Sequence, residues 1–359
     1  MTFEEARAQF PVFERLAYLN AGTNGPLARP TVEAMVTQEQ ADLERGRGGP
    51  EYFEHVGELR SEVRTKLAAL VGVALDRLAL ATSTTNGCNI VLTGLDLGPE
   101  DEIVTTDGEH FGLLGALAVS PARVRFAPVR ELAPDEALEV LLREVTPQTR
   151  LLALSDVCWM SGNRFPAAEL KEATGLPVLV DGAQSAGAIP VDASELDFYA
   201  FSCQKWLCGP DAMGGLAVVD PERLRIAAPS YLSQESYEPS GEFTPRPGAG
   251  RFDPGWTSPP SLAGLSAALD LAPEGRFERA GAMAARCREL LAGRFEMVTA
   301  PDQGTLVTFR VEGDSAELVK SLYEQGVVVR DIPGLGWIRV SCGWWTSEED
   351  LGRLDAALG

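Results

Sequence analysis

Short apolar runs alternate with helical patterns through the middle of this 359-residue chain. Uninterrupted apolar runs of this length are typical of strands buried on both faces, and the apolar spacing in residues 136–145 and 167–174 is typical of helices. The alternation predicts an α/β fold in which a mostly parallel seven-stranded sheet carries helices on both faces. Ligands of such sheets bind at the carboxyl ends of the strands. The predicted strands are Arg77–Thr82, Glu102–Thr106, Val124–Pro128, Arg150–Ser155, Val178–Asp181, Phe198–Phe201 and Gly215–Val219.

The C-terminal part of the chain has a different pattern. Residues 237–260 are rich in Gly, Pro and Ser without periodicity, which predicts a long surface excursion. Beyond it we expect a smaller α/β domain at 261–359, joined to a large domain at 15–260 by the N-terminal segment 1–14. A helix near Phe3–Phe10 should pack against the small domain. The helices and strands predicted for that domain are residues 262–271, 276–294 and 347–358, and residues 304–311, 327–330 and 337–341.

Composition and charge argue against several classes of partner. The formal net charge of -21 disfavours nucleic acid and anionic membrane surfaces, because both require a basic protein surface. No apolar run approaches the roughly 20 residues that span a bilayer, and Met1–Arg7 lacks the features of a signal peptide. The six cysteines form no CxxC pair and only two histidines are present, so we expect no metal site and a reducing, cytoplasmic location.

The segment Val178–Pro210 carries the most informative chemical pattern. One apolar strand ends in Asp181, and the next leads through Ser202 to Lys205, so a carboxylate and an amine are expected at neighbouring strand ends. An enzyme that uses pyridoxal 5'-phosphate (PLP) needs such a pair, because the lysine binds the cofactor aldehyde and the carboxylate keeps the pyridine nitrogen protonated. By spacing alone, an Asp–Lys ion pair that caps two strands is the simpler interpretation.

Further motifs follow the same order as in a known family. Thr82–Gly87 follows a strand and opens a helix, where hydroxyls and free N–H groups can bind a phosphate or simply cap the helix. His110 follows another strand, and Arg339 lies in a late strand. With the segment around Lys205, these motifs resemble the class V aminotransferase-like group of fold type I PLP enzymes, which includes cysteine desulfurases, cystine C–S lyases and isopenicillin N epimerases. The resemblance runs from Tyr18–Gly22 to the C-terminal helix.

The resemblance implies a role for each motif residue. Lys205 is the expected Schiff-base lysine, Asp181 the partner of the pyridinium nitrogen, and His110 the residue that stacks over the ring; these three are the expected catalytic residues. A homodimer with a shared active site is implied because Thr257 resembles the threonine that reaches the phosphate of the partner subunit. The other implied contacts are Gln184 to the phenolic oxygen, Thr84, Thr85, Ser202 and Gln204 to the phosphate, and Arg339, Ala21, Gly22 and Trp159 to an amino acid substrate.

The phosphate motif departs from the family pattern at three positions. Ser83 stands where the family has Gly, Asn86 where it has Glu, and Gln204 where most members have His. Because a glutamine amide can donate to a phosphate, we expect PLP binding to survive with an altered local charge.

Other departures bear on the reaction. The stretch Val328–Trp337 corresponds to the mobile loop that carries the catalytic cysteine of the desulfurases, but it contains no cysteine. Trp159 stands where many relatives have Asn, which resembles the cystine C–S lyase branch. We therefore expect a lyase that eliminates sulfur from cysteine, cystine or a thioether, with Lys205 as the base. A desulfurase, an epimerase, an aminotransferase and a PLP-binding protein without catalytic activity remain alternatives. The substrate side-chain pocket is expected to contain Trp159, Trp256, Tyr231 and residues 235–251.

Overall fold

A seven-stranded sheet forms the centre of the computed structural model, which describes all residues from Met1 to Gly359. Its spatial order is β2-β8-β7-β6-β5-β3-β4, and only β8 runs antiparallel to its neighbours. The strands of the chain are β1 (Ala17–Tyr18), β2 (Leu78–Ala81), β3 (Glu102–Thr106), β4 (Arg123–Ala127), β5 (Thr149–Ser155), β6 (Val178–Asp181), β7 (Phe198–Ser202), β8 (Gly214–Val218), β9 (Gln234–Tyr237), β10 (Phe243–Pro245), β11 (Leu306–Arg310), β12 (Val327–Val328), β13 (Arg330–Ile332) and β14 (Trp337–Ser341).

Helices cover both faces of this sheet because successive side chains of each strand point to opposite sides. Leu78 and Leu80 of β2 belong to the apolar core on one face, whereas Ala79 between them belongs to the core on the other. The helices are α1 (Phe3–Arg7), α2 (Arg29–Arg45), α3 (Pro50–Leu70), α4 (Thr84–Gly94), α5 (Phe111–Ala118), α6 (Pro134–Glu144), α7 (Ala167–Thr174), α8 (Pro259–Leu271), α9 (Arg276–Ala292), α10 (Ser315–Glu324) and α11 (Glu348–Leu358). No helix combines the length and apolar character that crossing a bilayer requires.

The predicted strands of the large sheet are confirmed, each end lying within one residue of its expected position. The remaining C-terminal strands form a separate antiparallel sheet, β11-β14-β13, with α9, α10 and α11 around it. Strand β1 pairs with β12, so the N-terminal segment joins this part of the chain. The domain boundary at residue 260 stays a prediction; α8, which follows it, packs on α2 and α3.

The N-terminal helix lies where it was expected, against the C-terminal part of the chain. Arg7 forms a salt bridge of 2.8 Å with Asp350 of α11. The ring of Phe10 lies 5.9 Å from that of Trp344 and 6.3 Å from that of Trp345, between ring centroids. Contacts between aromatic rings at such distances add to the free energy of burial.

The prediction of a surface excursion at residues 237–260 is wrong for its second half. The hairpin of β9 and β10 is exposed, but Phe252 and Asp253 are buried. Asp253 accepts hydrogen bonds from the side chains of Arg60 and Arg64 and from the backbone N–H of Leu80. These donors compensate for the burial of the carboxylate. The prediction failed because composition alone cannot reveal partners that are distant in the sequence.

Candidate active site

Four neighbouring strands of the large sheet end at one edge, and polar residues follow each of them. In sheet order the strands are β3, β5, β6 and β7, and their ends lead to Glu109, Ser155, Asp181 and Ser202. Ser155 and Asp181 are register partners, and Asp181 in turn lies beside β7, from which the chain continues to Lys205. The prediction that Asp181 and Lys205 lie at neighbouring strand ends is confirmed.

Lys205 and Asp181 are electrostatically coupled without a direct salt bridge between them. Burial lowers the pKa of Lys205 to about 8, with Asp181 opposing this shift and Arg339 and Arg330 adding to it. Burial raises the pKa of Asp181, against the effects of Lys205 and of the N–H of Ala183, which donates to Oδ1 at 2.9 Å. A lysine with this lowered pKa has a substantial neutral fraction near pH 8, which is the form that attacks an aldehyde.

The side-chain amide of Gln184 is held in one orientation by two partners, one a hydrogen-bond donor and the other an acceptor. The indole N–H of Trp206 donates to Oε1 at 3.0 Å, and Nε2 donates to the carbonyl oxygen of Gly22 at 2.8 Å. Because an indole can only donate and a carbonyl can only accept, the amide cannot be flipped without losing both bonds. The second N–H of Nε2 has no protein partner, so it can donate to a ligand oxygen.

Thr84, Thr85 and Ser202 form a set of neutral donors at the start of α4. The N–H of Thr84 donates to Ser202 Oγ at 3.0 Å, and the two hydroxyl oxygens lie 2.7 Å apart. Ser83 caps the helix by accepting from the N–H of Asn86 at 3.1 Å. No protein acceptor lies near the N–H of Thr85, and the helix dipole favours an anion at this end.

Gln204 adds an orphaned polar group to the same region. Its Oε1 is buried and has no hydrogen-bond partner in the protein. A buried amide oxygen without a partner is costly unless a ligand satisfies it or the amide turns. The hydroxyls of Thr84 and Ser202 and the free N–H of Thr85 can donate to a phosphate group. Gln204 can join them only with its amide turned so that the NH2 group faces the phosphate, because a carbonyl oxygen accepts as a phosphate does.

His110 is neutral and has a defined tautomer. Its Nδ1 accepts from the N–H of Gly112 at 3.1 Å, so the ring proton is on Nε2. The ring is exposed in the single chain. Partial desolvation and the positive charges of Lys205, Arg330 and Arg339 nevertheless lower the pKa of His110 to about 4. The imidazole therefore stays uncharged at physiological pH.

Arg339 is a buried cation without an anionic partner. Its relative exposure is 0%, and no carboxylate lies within 4.0 Å of it. Nη1 donates to the carbonyl oxygen of Trp159 at 2.7 Å, Nη2 donates to the hydroxyl of Thr23 at 3.3 Å, and Nε has no partner. Burial and the nearby Arg330 lower the pKa of Arg339. A buried guanidinium without a counter-ion is unfavourable, so this position fits a ligand carboxylate.

Arg330 is a site residue that the sequence did not reveal. It is the register partner of Arg339 in the β13–β14 pair, so both side chains leave the same face of the small sheet. Its guanidinium carbon lies 5.2 Å from the ring centroid of Trp159, and Nη1 donates to Thr23 at 3.2 Å. It has no carboxylate partner either. Only the hairpin register, which sequence patterns do not give, brings the two arginines together.

Trp159 lies between the candidate cofactor and substrate groups. Its ring is perpendicular to that of His110, with the centroids 5.4 Å apart, and its carbonyl oxygen binds Arg339. Trp159 therefore lies beside Arg339, as predicted, while the part of either residue in binding a substrate carboxylate stays a prediction. Trp256 and Tyr231, predicted for the same pocket, lie elsewhere in the single chain: Trp256 packs on Phe53 and both of these rings are exposed, as is Tyr231.

Thr257 also lies apart from the residues around Lys205. Its hydroxyl oxygen accepts from Arg60 Nη1 at 2.9 Å, and it is buried on α3. The single chain therefore does not bring Thr257 to Thr84 and Ser202. Its predicted role requires a second subunit and stays a prediction.

Gly22 lies beside Arg339, at its predicted position, and Ala21 precedes it in the chain. Ala21 is buried, and the N–H of Gly22 donates to Ser341 at 3.2 Å. A Cβ added at Gly22 would lie 2.8 Å from Arg339 Nη2 and 3.0 Å from Gln184 Oε1. The absence of a side chain here leaves room for the guanidinium.

Gly22→Ala should therefore weaken substrate binding by displacing Arg339. We expect KM to rise roughly tenfold, since a shift that loses one charged hydrogen bond costs about 1.5 kcal/mol. The control is Gly281→Ala in α9, where an added Cβ meets nothing within 4 Å. Equal KM values for the two variants would show that Gly22 does not bound the substrate site.

The six cysteines are all free and buried. Burial raises the pKa of the four thiols of Cys88, Cys158, Cys203 and Cys208 above the usual value. The stretch that corresponds to the desulfurase loop is a hairpin between β13 and β14, with Pro333–Gly336 as its turn. No thiol of the chain is therefore exposed and activated as a sulfur nucleophile.

Taken together, the parallel sheet and the polar residues at its carboxyl edge define a fold type I PLP enzyme. The chain belongs to the aminotransferase class-V family, whose model matches residues 18–348. Its cofactor is PLP.

Curated and solved relatives cover almost the whole chain. Isopenicillin N epimerase of Streptomyces clavuligerus is 32% identical over 99% of this chain and 97% of its own length. Cysteine desulfurase CsdA of Escherichia coli is 28% identical over 98% of this chain and 96% of its own. The solved complex of the cystine C–S lyase C-DES with cysteine persulfide is 31% identical, with a TM-score of 0.90 and coverage of 98% and 99%. A C-DES variant with glycine covalently linked to its PLP is likewise 31% identical, with a TM-score of 0.91.

Proposed function

We propose that this enzyme is a PLP-dependent lyase that cleaves the Cβ–S bond of cystine or a closely related sulfur amino acid. The observation that carries the proposal is the pair Arg330 and Arg339, two partly or fully buried cations side by side without a carboxylate partner. Cystine carries two carboxylates, so it can satisfy both. The similarity to the C–S lyase C-DES supports the same reaction.

The proposed cofactor contacts combine the family resemblance with the site geometry. Lys205 would bind the aldehyde, Asp181 the ring nitrogen, and Gln184 the phenolic oxygen, with His110 against the ring. When bound, PLP withdraws electrons from the substrate Cα, which makes the α-proton acidic and allows a β-substituent to leave. The phosphate would be held by Thr84, Thr85, Ser202 and Gln204.

The arginines and Lys205 have separate proposed roles in binding the substrate and removing its α-proton. Arg339 binds the α-carboxylate and orients the Cα–H bond, while Arg330 binds the second carboxylate. Lys205, with its pKa lowered to about 8, accepts the α-proton once the substrate amine has displaced it. The Cβ–S bond then breaks and the sulfur leaves with both bonding electrons. No enzyme thiol takes part, in agreement with the buried cysteines.

An epimerase is the second candidate, because the similarity to isopenicillin N epimerase extends over 99% of the chain. Epimerisation requires a proton to be returned to the opposite face of Cα. His110, which the family resemblance implies over the ring, has its pKa lowered to about 4, so near neutral pH it is uncharged and carries no imidazolium proton to return. This argues for elimination. Solvent deuterium at Cα of recovered substrate, without pyruvate, would instead identify an epimerase.

The proposed assembly is a homodimer in which Thr257 of each subunit reaches the phosphate bound by the other. The hydroxyl oxygen of Thr257 accepts from Arg60, so its own proton remains available to donate to a phosphate. We propose the cytoplasm as the location, because all six thiols are free.

Arg330→Leu should discriminate between substrates with one and two carboxylates. For cystine we expect kcat/KM to fall roughly 10- to 100-fold, the effect of about 1.5–3 kcal/mol from one lost charge-assisted contact. For S-methylcysteine, which has a single carboxylate, the value should change less than about threefold. Equal losses for both substrates would contradict the assignment of Arg330 to the second carboxylate.

The overall reaction is tested by incubating the yellow holoenzyme with L-cystine and measuring pyruvate, ammonia and persulfide. We expect the three products in equal amounts. An aminotransferase would instead convert the cofactor to its amine form, and a desulfurase would retain sulfur on the protein. Absence of pyruvate from every sulfur amino acid would overturn the proposed reaction.

A further inference from the structure

The carboxyl group of Glu109 is buried beside the site, and none of the roles above uses it. Its relative exposure is 4%. It accepts from the hydroxyl of Thr106 at 2.6 Å, and from the N–H and the hydroxyl of Ser155 at 3.0 and 2.5 Å. No arginine, lysine or histidine contacts it. A buried anion without a cation destabilises a fold, so its position beside the active site requires a functional explanation.

The hydrogen bonds around Glu109 favour its ionised form. The N–H of Ser155 can only donate. The hydroxyl oxygen of Thr106 already accepts from the N–H of Gly108 at 3.1 Å, so its own proton is directed to Glu109. A protonated carboxyl group would present its own O–H to groups that already donate to it. The contacts oppose the effect of burial, which raises the pKa to about 7, and they fix the position of the negative charge once the carboxyl group ionises.

Glu109 is linked to Asp181 through a single residue. Ser155, whose N–H and hydroxyl bind Glu109, is the register partner of Asp181 across β5 and β6. The two carboxylates thus lie at the same edge of the sheet, with the end of β5 between them, and the charge of Asp181 adds to the rise in the pKa of Glu109. Because a Coulomb interaction is mutual, the charge of Glu109 acts on Asp181 in turn. The other titratable groups that face Glu109 are the thiols of Cys88 and Cys158, which burial keeps neutral.

We propose that Glu109 is a positioning residue that acts through Asp181: its carboxylate, when ionised, raises the proton affinity of the pair formed by Asp181 and the cofactor ring nitrogen. Two anions near one proton bind it more tightly than one does. The ring therefore keeps its proton, and its ability to accept electrons, at higher pH than Asp181 alone would allow. The inference rests on the proposed contact of Asp181 with the ring nitrogen, and it does not depend on which amino acid is the substrate.

The direct test is ¹⁵N NMR of the holoenzyme loaded with PLP labelled at the ring nitrogen, titrated from about pH 6 to 10. For Glu109→Gln we expect the protonated ring signal to be lost at a pH lower by about one unit or more than in the unaltered enzyme. The matched control is Glu102→Gln at the amino end of β3, the strand that leads to Glu109, where the carboxylate accepts from Thr146 at 2.6 Å. Its titration should match that of the unaltered enzyme.

A third variant separates this inference from the cofactor assignment. Asp181→Asn should remove the ring proton outright; if it does not, the assignment of Asp181 itself fails. If Asp181→Asn acts as expected but Glu109→Gln and Glu102→Gln titrate alike, the role of Glu109 is overturned.

The apoprotein provides a second readout that does not require the cofactor. Burial raises the pKa of Glu109 to about 7 from its usual 4.5. A raised carboxyl pKa favours folding below about pH 4.5, and this contribution is lost as the pH rises through about 7. Between pH 5 and 8 the unaltered apoprotein should therefore lose stability relative to Glu109→Gln. Parallel stability profiles would contradict a buried, titrating carboxyl group at this position.

Discussion

Replacing Lys205 by Ala should reduce pyruvate formation from cystine by a factor on the order of 10⁴, because the same amine binds the cofactor and accepts the α-proton. The physical reason is the lowered pKa of this lysine, about 8, which burial produces at the end of β7. No other lysine can replace it: the chain has only Lys66, Lys171 and Lys320 besides, and the first two form salt bridges with carboxylates on the surface.

The matched control for this variant is Lys171→Ala, which removes a partly exposed salt bridge of 3.1 Å to Asp197. We expect its activity to be unchanged and its stability to fall by less than about 1 kcal/mol. Circular dichroism of both variants separates loss of chemistry from loss of folding. Activity of Lys205→Ala within tenfold of the unaltered enzyme would contradict the role of this lysine.

Arg339→Met should change activity and stability in opposite directions. Loss of the carboxylate contact in a buried site is expected to cost about 2–5 kcal/mol in transition-state binding, or roughly a 30- to 3,000-fold lower kcat/KM. The same change removes a fully buried cation that has no anionic partner, so the apoprotein should become more stable by about 1–3 kcal/mol. Few structural arginines would show this combination, since removal of a paired arginine destabilises the fold.

Denaturant unfolding of the apoprotein and steady-state kinetics of the holoenzyme measure the two effects. The control is Arg310→Met, whose arginine lies on the neighbouring strand β11 and bonds to Glu296 at 2.9 Å on the surface. It should leave kcat/KM unchanged and lower stability slightly. A large loss of stability in Arg339→Met, comparable to that of a core truncation, would show that Arg339 is structural.

The large sheet was predictable from sequence because each of its strands is a short, uninterrupted apolar run. Val178–Asp181 and Phe198–Ser202 are buried on both faces, and their sequences are correspondingly apolar at almost every position. The positions of Asp181 and Lys205 followed from that, because parallel strands end at the same edge. Helices α2 and α3, which precede the sheet, lacked such a signal: their polar residues outnumber the buried ones, and neither was anticipated.

The parts of the site that depend on pairing register were not predictable. Arg330 faces Arg339 only because β13 and β14 pair in one register, and a shift by one residue would turn its side chain to the other face. The buried position of Glu109 was not predicted, because it depends on Ser155, which lies 46 residues further along the chain at the end of another strand. Its nearby partner, Thr106, gives no such signal by itself. Asp253 was assigned to a surface loop for the same reason.

The family resemblance supplied roles that local patterns alone left open. Spacing alone allowed an ion pair between Asp181 and Lys205, but the two groups make no direct salt bridge, and one oxygen of Asp181 is left for a ligand. Gln204 departs from the family pattern, and the surroundings of its side chain could not be predicted from sequence. Its side-chain oxygen is buried without a partner.

The most direct test is to reduce the yellow protein with borohydride, digest it and locate the phosphopyridoxyl group by mass spectrometry. The predicted result is one modified peptide per chain, with the group on the side-chain nitrogen of Lys205. Modification spread over Lys66, Lys171 and Lys320, or a colourless protein with no modified peptide after incubation with PLP, would contradict the account.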